Sequence, residues 1–193
     1  YDLPIYATYK TIKEMIRIFG RDKISEDAFI EIEPNKDIHI KDITIKAFNS
    51  LHDSVDPVGF TLKNGDKKIG FATDLGNFND YIVENLRDSN ILFLEANHDI
   101  RMLQVGPYPY FLKQRILSDY GHLSNERSGQ LLCQLLHDNL KHIVLGHLSK
   151  ENNYESLAFE AVQCEINTQS NYDAKDFNLF VAKRDQNSQL IAI

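Results

Sequence analysis

Gly70-Phe71-Ala72-Thr73-Asp74-Leu75-Gly76 reads as a buried strand that stops abruptly in a carboxylate followed closely by a glycine. A strand end joins rigid backbone to a loop, so a polar side chain placed there is held accurately. Three other apolar runs stop in the same way. Ile91-Leu92-Phe93-Leu94 runs into Glu95-Ala96-Asn97-His98-Asp99, Ile143-Val144-Leu145-Gly146 into His147, and Phe48-Asn49-Ser50-Leu51 into His52-Asp53. Aligned strands would gather Asp74, Glu95, His52 and His147 along one edge of a sheet. Imidazoles and carboxylates fixed in that way are what a metal ion requires.

Outward from this stretch, residues 58–62 and 68–72 flank Lys63-Asn64-Gly65-Asp66, and Asn-Gly between alternating segments predicts a hairpin. Residues 43–48 and 29–33 alternate as half-buried strands, and Ile5-Tyr6-Ala7 is a short strand. Thr11-Ile12-Lys13-Glu14 has the capping-box form. It predicts a helix with Ile12, Met15, Ile16 and Phe19 on one face, closed by Gly20. Asn77 or Asn79 caps a helix through Tyr81, Ile82 and Leu86, before the strand at 91–94. Residues 97–120 have weak periodicity and read as a long loop holding Gly106-Pro107-Tyr108-Pro109-Tyr110-Phe111; such loops in compact domains are often functional. Ser124 or Asn125 caps an amphipathic helix with Leu131, Leu132, Leu135 and Leu136 inward, which leads into a strand at 142–146. Asn152 or Asn153 caps another, carrying Leu157, Ala158, Ala161 and Val162. Residues 177–183 and 189–193 are expected to pair antiparallel around Asp185-Gln186-Asn187. Early and late hairpins with strand–helix–strand units between predict one layered α/β domain over residues 1–193.

The chain has 193 residues, 42% of them hydrophobic, enough for a single core. A net charge of -7 argues against wrapping nucleic acid by global charge, although a local basic patch or phosphate-neutralising metals would still permit it. Cys133 and Cys164 lie in amphipathic patterns and are expected to be small buried hydrophobes in a reducing, cytoplasmic setting. No apolar run approaches the ~20 residues of a membrane span, so no membrane partner is expected. The chain opens on Tyr1-Asp2-Leu3-Pro4 without methionine, as a piece of a longer protein would.

Of the seven histidines, His39, His137 and His142 sit in strand or helix patterns and read as structural or exposed. His52 and His147 each follow an apolar run and, with Asp74, form a metal-ligand set. Taken alone, Asp74 serves equally as a turn former. Glu95 either opens the 97–120 loop and pairs with Arg101 or Arg115, or stands beside a histidine. Gly121-His122-Leu123-Ser124 is echoed by Gly146-His147-Leu148-Ser149, two histidines each bracketed by glycine and a helix-cap residue. A carboxylate beside an imidazole raises its pKa and makes it a proton donor.

At these residues the chain resembles the metallo-β-lactamase superfamily and, within it, the YycJ/WalJ-type hydrolases. The likeness rests on Leu51-His52-Asp53 with Pro57-Val58-Gly59-Phe60, and on Thr73-Asp74-Leu75-Gly76. It continues through Leu94-Glu95-Ala96-Asn97-His98-Asp99, Gly121-His122-Leu123-Ser124-Asn125 and His147-Leu148-Ser149-Lys150-Glu151-Asn152-Asn153, in the family's order. The resemblance implies an αββα sandwich with a dinuclear metal site at one edge of its two sheets. His52, Asp74 and His147 would be ligands, Asp74 bridging two divalent metals, zinc or manganese. Glu95 and His122 would form the Glu–His relay of tRNase Z-type nucleases, His122 protonating the leaving oxygen in two-metal phosphodiester hydrolysis. The implied activity is 5′-exonuclease-like action on DNA or RNA. Tyr108 and Tyr110 are expected to stack on bases or cover the site, with Asn97 and His98 touching substrate beside them. The alternatives are a metallo-hydrolase of small esters or thioesters and a non-catalytic binding module.

The family's His-x-His-x-Asp-His motif, source of most of its metal ligands, is absent from this sequence. One metal would keep His52 and Asp74, the other Asp74 and His147, short of the three protein ligands usual in catalytic sites. The fold is therefore expected to be incomplete at its N-terminus, and this chain alone to bind metal weakly and be inactive. A sheet edge left uncovered would favour a homodimer or a strand-swapped assembly.

Overall fold

The computed structural model describes residues 3–20 and 23–192. Its first three elements form a unit of their own: β1 (Ile5–Thr8) and β2 (Phe29–Ile32) pair in parallel, joined through α1 (Tyr9–Phe19). The main sheet has seven strands whose spatial order is their chain order. β3 (Asp37–Ile40), β4 (Ile43–Asn49), β5 (Val58–Asn64) and β6 (Lys67–Ala72) make an antiparallel meander. β7 (Ile91–Glu95), β8 (His142–Gly146) and β9 (Asn178–Val181) then add in parallel to β6. The Asn64-Gly65 hairpin forms where the sequence places it, with Gly65 left-handed at φ 58°.

Helices α2 (Asp80–Leu86), α5 (Asn125–Cys133) and α6 (Glu155–Gln169) cover one face of this sheet; α3 (Ile100–Val105) and α4 (Tyr110–Ile116) lie between β7 and α5 in the chain. Phe48, Ala72, Leu92, Leu94, Ile143 and Leu145 pack against Leu86, Leu131, Leu132, Val162 and Ile166 to form the core. Successive side chains alternate between faces, so the other face carries Ile45, Phe60, Leu62, Ile69, Phe71 and Phe93. These are half-buried except for the exposed Phe71. A sheet with a helix layer is thus present; β1–β2 is the only other sheet among the described residues. No helix among them is long and apolar enough to cross a membrane.

Local departures from the expected elements have physical causes. α1 starts at Tyr9, because the Thr11 hydroxyl donates to the Val55 carbonyl (3.0 Å) instead of capping. β3 escapes a reading of the sequence, yet Ile38 and Ile40 alternate and pair with Ile45 and Ile43 across a tight turn with Lys41 left-handed. The supposed loop at 97–120 contains α3 and α4, and Asp99 caps α3 by accepting from the Met102 amide (2.7 Å). α6 begins after Tyr154 without a side-chain cap, since Asn153 instead donates its amide to the carbonyls of Ala96 and Asn97. The expected C-terminal antiparallel pair is replaced by β9 alone, parallel to β8, with no strand over 185–192; Ile193 lies outside the described residues. Cys164 is exposed rather than buried, whereas Cys133 is half-buried between α5 and α6 with its thiol near the Glu165 carbonyl.

Candidate metal centre

β4, β6, β7, β8 and β9 run in one direction, so their C-terminal ends share an edge of the sheet. That is where open α/β sheets place their ligands. The loop after β4 delivers His52, the loop after β6 Asp74, the end of β7 Glu95 and the residue after β8 His147. His122 joins them from the turn between α4 and α5, its backbone amide bonded to the Ile116 carbonyl (3.0 Å). Asp74 and His147 are both left-handed, with φ of 51° and 57°. L-residues adopt that conformation rarely, and it persists where surroundings enforce it. Ser50 donates to the Asp74 carbonyl at 2.8 Å, and the Asn97 side-chain amide to the His147 carbonyl at 2.9 Å.

Glu95 organises the centre. It is completely buried, and each of its oxygens takes two donors. Oε1 accepts from His122 Nδ1 (3.1 Å) and the Leu123 amide (2.9 Å). Oε2 accepts from the Asp74 amide (2.6 Å) and His147 Nδ1 (3.0 Å). Burial pushes its pKa up, but the hydrogen bonds from His122 and His147 outweigh that and hold the carboxyl below its usual range. In return, the hydrogen bond to Glu95 raises the His147 pKa against the opposing effect of burial. Glu95 pairs with neither Arg101 nor Arg115; the Arg115 guanidinium grips Asp53 instead and lowers its pKa.

Fixing Nδ1 fixes where Nε2 points. His52 donates Nδ1–H to the Gly121 carbonyl at 2.8 Å. Its Nε2 then stands 3.7 Å from Asp74 Oδ1, and His147 Nε2 stands 3.5 Å from the same oxygen. Donors sharing one zinc ion at about 2.0–2.1 Å lie roughly 3.3 Å apart, so this spacing suits a divalent cation. Donor atoms of Asp74, Glu95, His122 and His147 all come within 4.8 Å of one another. Glu95 has spent its lone pairs on four N–H groups, so Asp74, His147 and His52 are the donors best able to hold an ion. The His122 ring lies between, 4.9 Å from the His52 ring and 5.3 Å from that of His147. Its Nδ1 is held by Glu95, Nε2 has no hydrogen-bond partner among the described residues, and the residue lines a cleft of about 730 Å³.

Of the other residues singled out in the sequence, Asn97 and Tyr108 line that cleft; Asn97 also spends its amide on the His147 backbone. His98 does not line it. It is 1% exposed, neither ring nitrogen has a partner among the described residues, and burial drives its pKa down to about 4. Tyr110 is 76% exposed and stands outside the lining. His39, His137 and His142 bond to Thr44, the Ser89 carbonyl and Asn178, away from the centre. Arg115, Lys183 and Arg184 line the cleft unannounced by any motif, and Lys150 was legible only as a neighbour of His147.

Two glycines let the site loops meet. A Cβ on Gly76 would strike the backbone of Asp119 and Gly121, and one on Gly121 would strike the Ile116 carbonyl. Backbone cannot rotate aside as a side chain does, so Gly76→Ala is expected to cost about 1–3 kcal/mol. Urea unfolding of the variant measures it; an unchanged midpoint would mean that the turn bearing His122 yields freely.

A β-lactamase superfamily domain model matches residues 1–148, from the start of the chain to just past His147. The chain belongs to the metallo-β-lactamase superfamily. Curated members at 35% and 37% identity are exodeoxyribonuclease YycJ of Bacillus anthracis and exodeoxyribonuclease WalJ of Streptococcus pneumoniae, each aligned over 158 residues, 82% of this chain. The chain spans 59% of the length of these relatives. Among solved structures, the metallo-β-lactamase fold protein YhfI from Bacillus subtilis superposes with a TM-score of 0.62 at 15% identity. It covers 94% of this chain and 62% of its own. The metallo-β-lactamase fold implies divalent metal binding, and the Asp74–His147–His52 donor set suits it.

Proposed function

We propose that this chain carries the site of a metal-dependent phosphodiesterase, a nuclease of 5′-exonuclease type acting on DNA or RNA. The observation that carries the reading is the convergence of three imidazoles on Asp74 Oδ1, at 3.5–3.8 Å, two of them anchored to one buried carboxylate. The exodeoxyribonuclease names of the relatives support it. His52, Asp74 and His147 would hold two zinc or manganese ions with Asp74 shared, and the ions would supply Lewis acidity and neutralise phosphate charge. Glu95 keeps His122 and His147 in the tautomer with Nδ1–H, as carboxylates behind metal-ligating histidines do. As an imidazolium, with Nδ1–H kept on Glu95, His122 would give its Nε2 proton to the leaving oxygen and return to the neutral Nδ1–H form. Tyr108 lies where a base could stack.

With Asp74 shared, each ion keeps two side-chain donors on this chain, so it alone holds metal weakly and is inactive. The test is elemental analysis with an oligonucleotide hydrolysis assay. It compares this chain with a version extended upstream by a segment bearing a His-x-His-x-Asp-His motif. Almost no metal and no cleavage in the first, against about two metals and cleavage in the second, is the expected result. Thioester hydrolysis without oligonucleotide cleavage would favour the small-ester alternative. Absence of metal from both forms would favour a binding module.

A further inference from the structure

Charge on this protein is not spread evenly over its depressions. The chain carries 28 acidic and 21 basic residues, and a hollow lined by β5, β6 and α2 holds four of each. A second, along α1 and β2, holds three of each. The cleft beside His122 and His147 holds four basic residues, Arg115, Lys150, Lys183 and Arg184, against the single carboxylate of Glu155. Arg115 is committed to Asp53, and Arg184 donates to the Leu148 carbonyl at 2.8 Å. Lys150 and Lys183 are exposed and have no ion-pair or hydrogen-bond partner among the described residues.

The sheet explains why these cations flank the centre. β8 and β9 are paired in parallel with Leu145 opposite Val181, and the Ala182 amide bonds to the Leu145 carbonyl at 2.8 Å. His147 and Lys183 each follow by two residues the last paired positions, Leu145 and Val181, and both line the cleft. Lys150 follows His147 by three residues in the same loop. Tyr108 and Tyr154 offer half-buried and exposed rings on the cleft wall.

We propose that the loops after β8 and β9 form a phosphate-binding wall, in which Lys150 and Lys183 seat backbone phosphates of a single nucleic-acid strand next to the one being cleaved. This rests on the phosphodiesterase reading and narrows it to a substrate with several phosphates in a row. A lone phosphate ester would leave the wall unused. Lysines suit the task as mobile point charges that follow a flexible backbone without reading sequence.

The test is binding, which needs no turnover. Fluorescence anisotropy of a labelled, phosphorothioate-linked oligothymidylate is followed on this chain across a salt series. Lys150→Gln/Lys183→Gln is expected to weaken binding at least tenfold at low salt. It should also lower the slope of log affinity against log salt by about 1.4, two contacts at ~0.7 each. Lys46→Gln/Lys63→Gln removes the same charge from a balanced hollow and should change neither. An unaltered slope in the cleft variant, or an equal loss in the control, overturns the proposal. Failure of the cleavage assay together with the expected slope change would sink the nuclease reading and leave the wall standing.

Discussion

Glu95→Ala is expected to be the most damaging single substitution at the centre, costing about 3–5 kcal/mol of folding stability. The carboxylate is fully buried and, among the described residues, is the only hydrogen-bond acceptor of the Asp74 and Leu123 amides and of two histidine Nδ1–H groups. Truncation strands four donors, the Leu123 amide in a buried bond and the other three in partly buried ones, and a buried donor without a partner costs on the order of 1–3 kcal/mol. Since a domain is stable by only about 5–15 kcal/mol, the alanine form could unfold outright. Glu95→Gln keeps the volume and turns one acceptor into a donor facing donors. It should fold, with metal affinity lowered about 10–100-fold because His122 and His147 lose their orientation. Urea unfolding reads the first variant and calorimetric metal titration the second. Wild-type metal affinity in Glu95→Gln would show that the histidines are oriented by their own loops instead.

The second large effect is an acid limb of stability set by His98. Its folded pKa is about 4 against 6.5 for the unfolded chain, because the ring is buried. Between those values the unfolded chain binds a proton that the folded chain refuses, so stability falls as pH drops from 6.5 towards 4. The total is about 3 kcal/mol at ~1.4 kcal/mol per pH unit. The neighbouring groups fall elsewhere on the scale. Glu95, with its folded pKa lowered, contributes stability that is lost only further into acid. His147, with its folded pKa raised, contributes stability below the unfolded value that is lost as pH rises through the folded one. Urea unfolding of metal-free protein at pH steps across the window should show the decline, and His98→Leu should flatten it. The same slope in that variant would place the titrating group elsewhere.

Much of the site was legible because its residues stand at strand ends. Four apolar runs that stop in His52, Asp74, Glu95 and His147 can be read without coordinates, and parallel strands bring such stops to one edge. His122 lies on no strand, and only its Gly-His-Leu-Ser echo with His147 drew attention to it. That Glu95 serves His147 as well as His122 depends on its burial among loops from three elements, which no local pattern encodes. Helix starts were misread where a polar side chain had a tertiary partner: Thr11 answers Val55, and Asn153 answers Ala96 and Asn97. β9 was given the wrong neighbour because alternation fixes a strand's faces and says nothing of its direction. The gathering of cations at the cleft was hidden for the same reason, since Lys183 reaches the cleft that Lys150 lines only because β9 pairs with β8.

The main sheet grows in chain order from β3 to β9, and this has a bearing on when the centre comes into being. Asp74 comes with β6, Glu95 with β7 and His147 with β8, so the donor set is complete only where all three strands are paired. Without β8 the Glu95 carboxylate lacks one of its imidazoles, and Asp74 Oδ1 lacks the donor that stands 3.5 Å away. A cation therefore meets its donors only after the parallel half of the sheet has closed. Contacts that form after the folding barrier leave the forward rate alone and slow the reverse one. A cation held by this donor set would act as a latch on a finished sheet, lengthening the life of the native state without guiding the chain towards it.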